Sequence, residues 1–121
     1  MDLVDSNILI YASIKDYHDL REFLRGRILK CSVISKIEVL GYHKLTAQEK
    51  SAFELVFENI EVLPLNNQIV SEAISLKQMK KMTLGDSLIA ATAITAKLNL
   101  ITVNYKDFDW IESLNVINPI T

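Results

Sequence analysis

The sequence predicts an α/β fold in which helices cover both faces of a parallel sheet. Five short β-rich runs alternate with segments whose apolar residues recur every three or four positions. We place the strands at residues 2–4, 31–34, 60–63, 100–103 and 116–117. Strands that alternate with helices form βαβ units, whose right-handed crossovers bring the carboxyl ends of the strands to one edge of the sheet.

Capping patterns mark where several of the helices begin. Residues 35–38 (Ser-Lys-Ile-Glu) and 46–49 (Thr-Ala-Gln-Glu) fit the capping box, and residues 83–86 (Thr-Leu-Gly-Asp) come close to it. Asn66 or Asn67 caps the helix that follows the third strand. The helix that follows residue 83 is apolar around nearly its whole circumference, so we expect it to be buried at the centre of the fold.

The composition is that of a compact globular chain, and we expect residues 1–121 to form a single domain. Of the 121 residues 50% are hydrophobic and 23% are charged, and the net charge of −2 argues against binding nucleic acid by charge alone. Bound divalent ions can nevertheless supply positive charge where a phosphate sits. Cys31 is the only cysteine, which excludes an intramolecular disulfide and favours a reducing, cytoplasmic setting. We expect neither a secretory signal nor a membrane span.

Four acidic residues, Asp5, Glu38, Asp86 and Asp107, each follow a short apolar run. In a parallel sheet the carboxyl ends of the strands share one edge, so acids far apart in sequence are expected to meet in one cleft. Several carboxylates without a basic partner need a cation, and ligation by oxygen alone suits Mg²⁺ or Mn²⁺. The four acids are therefore candidate metal ligands and catalytic residues of an enzyme that acts on phosphate esters.

Each of the first three acids also has a purely structural interpretation. Asp5, Glu38 and Asp86 could serve only as parts of helix caps, which are common and stabilise a helix by about 0.5–2 kcal/mol. Caps need not all fall after strands on the same edge of a sheet, whereas the ligands of one metal must. The combination of four such positions therefore favours the metal site.

Two asparagines extend the predicted site as cofactor-binding residues. The amide of Asn7 can hydrogen-bond Asp5 or a metal-bound water, which orients a ligating carboxylate. The fourth position remains open among Asn104, Asp107 and Asp109, and we favour Asp107 as the ligand with Asn104 beside it. The hydroxyls of Ser6 and Thr102 could bond the acids, although a plain structural role is the simpler interpretation.

The motifs around these residues run through the whole chain in a familiar order. They are Asp5-Ser6-Asn7-Ile8-Leu9, Ser35-Lys36-Ile37-Glu38-Val39-Leu40-Gly41, Asp86-Ser87-Leu88-Ile89-Ala90-Ala91-Thr92-Ala93 and Thr102-Val103-Asn104-Tyr105-Lys106-Asp107-Phe108. With them the chain resembles the PIN-domain ribonucleases, and specifically the VapC-type toxins of bacterial toxin–antitoxin pairs. The resemblance implies a three-layer α/β/α sandwich with a five-stranded parallel sheet and cleavage of RNA with Mg²⁺ or Mn²⁺. It also implies a homodimer and a cognate antitoxin that blocks the cleft.

Several groups of residues could contact RNA or a protein partner. The lysines at 77, 80 and 81 and the arginines at 21, 25 and 27 could touch an RNA backbone, although charged faces are usually only solvated. Tyr105 and Trp110 flank Asp107 and could stack on an unpaired base. The apolar residues Phe53, Leu55, Val56 and Phe57 suggest a surface for self-association or for a partner.

Two other functional classes compete with the ribonuclease interpretation. A catalytically weak PIN-like module that acts through protein contacts is favoured by the scarcity of arginine-rich stretches and opposed by the intact set of acids. Another Mg²⁺-dependent phosphate-ester hydrolase is the second alternative. A haloacid-dehalogenase-type phosphatase needs two aspartates one residue apart after the first strand, but Asp5 is followed by Ser6-Asn7. A receiver domain needs an aspartate after the third strand, where Pro64-Leu65-Asn66 stands.

Overall fold

A five-stranded parallel sheet organises the computed structural model, which describes residues 1–13 and 17–120. The strands are β1 (Asp2–Val4), β2 (Leu29–Ser32), β3 (Glu61–Leu63), β4 (Asn99–Ile101) and β5 (Val116–Ile117). The helices are α1 (Ser6–Ala12), α2 (His18–Leu24), α3 (Val33–Leu40), α4 (Ala47–Glu58), α5 (Asn67–Met79) and α6 (Leu84–Ala96), with a 3₁₀ helix at Tyr105–Asp107. Within the described residues, no helix is both long enough and apolar enough to cross a bilayer.

The strand order β3-β2-β1-β4-β5 places β1 at the centre of the sheet. Leu3 of β1 pairs with Lys30 of β2 on one side and with Leu100 of β4 on the other, and both pairings are parallel. The carboxyl ends of these strands therefore lie at one edge, where Asp5 follows β1 and Thr102 follows β4. The predicted five-stranded parallel sheet is confirmed.

Helices cover both faces of the sheet because side chains along each strand alternate between the faces. Leu3 belongs to one core with Ile89 of α6 and Phe108, whereas Val4 belongs to a second core with Ile8 of α1 and Phe53 of α4. The result is a three-layer α/β/α arrangement. Helix α6 is buried along most of its length, from Ser87 to Ala93, as its all-round apolar character predicts.

The junction between β2 and α3 differs from the sequence prediction. Pairing with β3 ends at Ser32, and α3 begins at the next residue, Val33, instead of after a strand at 31–34. Ser32 is the helix cap, because its Oγ accepts a hydrogen bond of 3.0 Å from the backbone N–H of Ile34. Ser35 lies inside α3 and is fully buried, so the predicted capping box at 35–38 is wrong. Glu38 is consequently free of that structural role.

The other predicted caps are present. Thr46 and Glu49 form both halves of the capping box at the start of α4, with bonds of 3.1 and 3.0 Å. Asn66, the first of the two candidates, caps α5 by accepting from the backbone N–H of Ile69 at 2.8 Å. Thr83 caps α6. These bonds fix where each helix begins, and in α6 that start lies at the carboxyl edge of the sheet.

The predicted partner surface on α4 is mostly buried. Phe53 and Phe57 are 7% and 6% exposed, because they fill the core beneath α4, and Val56 is half-buried. Only Leu55 of that set is exposed, at 60%. Most of these apolar residues therefore serve the second core, and a partner surface on this helix stays a prediction.

Candidate active site

Four acids from four separate segments lie at the carboxyl edge of the sheet, and we call Asp5, Glu38, Asp86 and Asp107 the four-acid site. Asp5 follows β1 and caps α1, and Glu38 lies in α3. Asp86 lies in the first turn of α6, and Asp107 ends the 3₁₀ helix beyond β4. Burial raises the pKa of Asp86, and the charges of Asp5, Asp107 and Glu38 raise it further. The fold therefore brings all four carboxylates within electrostatic range of one another.

Asp5 is the most constrained of the four acids, since it is only 5% exposed and both of its oxygens are held. Oδ1 accepts from the backbone N–H of Ser6 at 2.7 Å, and Oδ2 accepts from the hydroxyl of Thr102 at 2.8 Å. Burial raises the pKa of Asp5, the two hydrogen bonds oppose that rise, and the charges of Glu38 and Asp107 add to it. The carboxylate of Asp5 is thus oriented by residues that follow two neighbouring strands, Ser6 after β1 and Thr102 after β4.

A chain of hydroxyls holds Glu38. The Oγ of Ser6 lies 2.7 Å from Oε1 of Glu38 and 3.1 Å from the Oγ of Ser35. Because one hydroxyl carries one hydrogen, Ser6 donates to the charged carboxylate and accepts from Ser35. Ser6 and Thr102 therefore have more than a plain structural role, since the hydroxyl of each donates to one of the four acids.

The sequence analysis did not identify Ser35 as part of this chain. The available signal was its position three residues before Glu38, which places both side chains on the same face of a helix. That signal was attributed to a capping box instead. Ser35 is fully buried inside α3, and its hydroxyl lies 3.1 Å from that of Ser6, which in turn holds Glu38.

The two predicted cofactor-binding asparagines line a small cavity of about 190 Å³ together with Asp5, Glu38 and Asp86. Asn7 is half-buried, and Asn104 is exposed. The backbone N–H of Asn104 donates to the hydroxyl of Thr102 at 3.0 Å, so this segment is tied to the residue that holds Asp5.

A second cavity, of about 480 Å³, shares Asp86 with the first, and we call it the lysine–tryptophan cavity. It is lined by Lys80, Lys81, Met82, Thr83, Asp86, Lys106, Asp107 and Trp110. Of the alternatives for the fourth acid position, Asn104 lines the first cavity and Asp107 the second, whereas Asp109 lines neither of the two. Two of the predicted RNA-contacting lysines, Lys80 and Lys81, face this cavity.

The remaining predicted basic residues have intramolecular roles. The ammonium of Lys77 donates to the backbone oxygen of Met82 at 2.8 Å. Arg25 pairs with Glu22 at 3.0 Å, and Arg27 pairs with Asp2, at the amino end of β1, at 3.2 Å. The contact of Arg27 with Asp2 lies at the amino end of β1, away from the edge that holds the four-acid site.

A third cavity, mostly apolar and about 490 Å³ in volume, lies on the other side of Glu38 between α1, α3 and α4. Its apolar lining includes Ile10, Val39, Tyr42, Leu45 and Phe53. Tyr42 is 54% exposed, so the cavity opens at the surface. An apolar opening therefore directly adjoins the four-acid site.

The chemistry of the four-acid site fits a divalent cation, although the side chains are not drawn together around one. Within the described residues, no ion pair joins any of the four acids to a lysine or arginine. In the same part of the chain, no three His, Cys, Asp or Glu side chains are grouped closely enough to hold a metal. All the donors are carboxylate oxygens, which Mg²⁺ and Mn²⁺ prefer. Asp107 is exposed, so its carboxylate has room to move toward Asp5 and Asp86, whereas Glu38 is held by Ser6.

Comparison with solved structures finds the same fold in toxin–antitoxin complexes. A toxin–antitoxin complex from Klebsiella pneumoniae contains a chain that is 27% identical, with a TM-score of 0.83 and 98% of both chains covered. VapBC-1 from nontypeable Haemophilus influenzae gives 25% identity and a TM-score of 0.83 over 98% of both chains. VapBC2 from Rickettsia felis, bound to a DNA fragment from its promoter, has the same fold at 22% identity, with a TM-score of 0.82 and 96% of both chains covered.

Sequence comparison identifies the family. Comparison with curated proteins gives no match. The PIN domain family, by contrast, matches residues 3–112, a range that contains all of the four-acid site and both asparagines beside it. The chain therefore belongs to the PIN domain family of nucleases.

Proposed function

We propose that the chain is an endoribonuclease that depends on Mg²⁺ or Mn²⁺ and acts as the toxin of a toxin–antitoxin pair, with residues 1–121 as one PIN-like domain. The observation that carries the proposal is the state of Asp5. It is a buried carboxylate fixed on both oxygens; its pKa is raised first by burial, and the charges of Glu38 and Asp107 add to that rise. Crowding like charges at one edge is costly unless a cation neutralises them.

In this proposal Asp5, Glu38, Asp86 and Asp107 would hold the metal, and the amides of Asn7 and Asn104, which line the same cavity, would help to bind it. When bound, a divalent ion offers positive charge to the phosphate oxygens and makes water a better nucleophile at neutral pH. The protein's own contribution is orientation. Thr102 and Ser6 keep Asp5 in one position, and Ser6 also holds Glu38, so two of the carboxylates are placed before substrate arrives.

The net charge of −2 is compatible with an RNA substrate. The negative charges of the four-acid site are the ones a metal would neutralise, and the lysines at 80, 81 and 106 lie in the adjoining cavity. A phosphodiester bound there would thus have positive charge available from the ion, when bound, and from the lysines of the adjoining cavity. Local charge outweighs net charge when a ligand is small enough to sit within one cleft.

An antitoxin partner is supported by the similar complexes and by the apolar cavity beside Glu38. We propose that a segment of the antitoxin fills this cavity and covers Glu38, which would block access to the four-acid site.

A homodimer is the second proposed association. Val70 and Ile74, one turn apart on α5, are 43% and 54% exposed and offer an apolar stripe for it. Sedimentation of Ile74→Glu beside the wild type tests that stripe, since loss of a dimer is expected.

The decisive experiment is cleavage of a mixed RNA pool by the purified protein in Mg²⁺, Mn²⁺ or EDTA. Cutting should require metal and should disappear in Asp86→Asn and Asp107→Asn. Asp109→Asn is the matched control, since Asp109 is an exposed aspartate of the same segment that lines neither cavity of the site. Equal cutting by Asp86→Asn and the wild type would remove the four-acid mechanism. Loss of cutting in Asp109→Asn but not in Asp107→Asn would show that Asp109, and not Asp107, is the fourth acid of the site.

One observation favours a second function. The four acids are not grouped around a metal position in the described residues, as expected for a catalytically weak module that acts through protein contacts. Binding of Mn²⁺ without cleavage of any RNA would support that module. The phosphatase and receiver-domain alternatives do not agree with the PIN family match and are set aside.

A further inference from the structure

The lysine–tryptophan cavity is continuous with the four-acid site but has a different chemical character. Asp86 and Asp107 form its wall toward the site, and three lysines, Met82, Thr83 and an indole form the rest. Its volume of about 480 Å³ lies in the range of pockets that hold small organic ligands. A ligand bound there would extend directly into the carboxylates.

The lysines of this cavity are available to an anion. No ion pair within residues 1–13 and 17–120 involves Lys80, Lys81 or Lys106. The segment that carries Lys80 and Lys81 is braced by Lys77, which bonds the backbone oxygen of Met82. Three ammonium groups are thus presented beside two aspartates without an acidic partner of their own.

Trp110 presents a flat ring to the same cavity. Its Nε1–H donates to the backbone oxygen of Asp107 at 3.0 Å, and the ring packs partly against the core, so its orientation is fixed. The ammonium of Lys80 lies 5.5 Å from the ring centroid and covers the indole face from within the same cavity, so a ligand that stacks there would displace this side chain. A nucleobase on this face would replace a weak exposed cation–π contact with a stronger stacking contact.

We propose that the lysine–tryptophan cavity binds one nucleotide of a single-stranded RNA, next to the phosphate at the four-acid site. The base stacks on Trp110, and the phosphate of that nucleotide is bound by Lys80, Lys81 and Lys106. This inference rests on the proposed ribonuclease function. A base must be unpaired to stack on a side chain in this way, so the substrate is single-stranded where the protein cuts it. Because stacking tolerates any base, this cavity would select unpaired RNA and position the strand relative to the four-acid site, without selecting a base sequence.

Trp110 is the only tryptophan, so its fluorescence reports on this cavity alone. The wild type is titrated at low salt with a short unstructured RNA oligonucleotide in EDTA, where no cleavage takes place. We expect quenching of the Trp110 emission. In parallel, anisotropy of a labelled oligonucleotide should show affinity about 10-fold weaker for Trp110→Leu, which corresponds to the loss of one stacked base.

The lysines are tested by the salt dependence of binding. Each neutralised phosphate on a single strand adds about 0.7 to the slope of log affinity against log salt, so Lys80→Gln/Lys81→Gln, which weakens the binding of one phosphate, should lower the slope by up to about 0.7. The matched control, Lys50→Gln/Lys97→Gln, removes the same charge far from the cavity, on α4 and at the opposite end of α6. Its slope should equal that of the wild type. Thermal melts confirm that all the variants are folded.

The outcomes separate this inference from the proposed function. Absence of binding in EDTA, binding without quenching, or equal slopes for the two double variants would overturn the nucleotide site. Metal-dependent cleavage by the wild type would in that case still support the ribonuclease. Quenching and a reduced slope without any cleavage would instead support the nucleotide site and count against the nuclease.

Discussion

Replacing Thr102 by valine tests how much the fold depends on a buried carboxylate. Valine keeps the shape of threonine but loses the hydroxyl, which is fully buried, donates to Asp5 at 2.8 Å and accepts from Asn104 at 3.0 Å. A hydrogen bond to a charged group contributes about 1.5–3 kcal/mol, and one to a neutral N–H contributes about 1 kcal/mol. We expect the free energy of unfolding to fall by about 2–4 kcal/mol at neutral pH, or about 4 °C in Tm per kcal/mol.

The loss in Thr102→Val should depend on pH. Burial raises the folded-state pKa of Asp5, and the hydrogen bond from Thr102 is one of two that limit this rise. Removing that hydrogen bond in Thr102→Val should therefore raise the pKa of Asp5 further. A carboxyl whose folded pKa exceeds its unfolded pKa stabilises the fold below the unfolded pKa, and that stabilisation disappears as pH rises through the folded pKa. The difference between the wild type and Thr102→Val should therefore widen from about pH 4 to about pH 7.

Urea denaturation of the metal-free proteins at several pH values measures this difference. Thr102→Ser, which keeps the hydroxyl and loses only a methyl group, is the control and should show little pH dependence. A loss below about 0.5 kcal/mol at neutral pH, or one equal at acid and neutral pH, would refute the reasoning, because neither bond would then stabilise the ionised Asp5.

Four further outcomes are expected. Asp86→Asn should stabilise the metal-free protein at neutral pH while abolishing cleavage, because burial and neighbouring charges raise the pKa of that acid; denaturation in EDTA checks this. Gly85→Ala should stabilise α6 by up to about 1 kcal/mol and reduce cleavage, since the new methyl group would lie 3.2 Å from Oε2 of Glu38; melting and rate assays compare the two effects. Thr46→Ala should cost about 0.5–2 kcal/mol in urea denaturation without changing activity. Cys31, fully buried with its pKa raised to about 11, should react with thiol reagents only when the protein unfolds.

The sequence predicts the layers of this fold well because they follow from local periodicity. The alternation of strands with amphipathic helices predicts the parallel sheet, and the caps at Thr46 and Asn66 are set by bonds within four residues. The start of α3 was not predicted. Val33 and Ile34 are β-branched and favour a strand, but the sheet pairing that would extend β2 stops at Ser32. Tertiary contacts decide that boundary, and they are not visible in a local pattern.

The acids of the site could be identified from the sequence, whereas the bonds that orient them could not. The hydroxyl of Ser6 meets Glu38 across 32 positions, and Thr102 meets Asp5 across 97. A pattern shows that a serine follows an aspartate, but not which distant carboxylate its hydroxyl will reach. The burial of Phe53 and Phe57 has the same origin, since only the packed sheet distinguishes a core face from a binding face.

The position of β1 at the centre of the sheet has a consequence for synthesis of the chain. Strand β1 pairs with Asn99, Leu100 and Ile101, and the carboxylate of Asp5 accepts from the hydroxyl of Thr102, which lies 97 positions further along the chain. All the intervening residues must be made before these contacts can form, and closing so long a loop is slow. A translation product interrupted before residue 99 therefore lacks the strand and the hydroxyl that position Asp5.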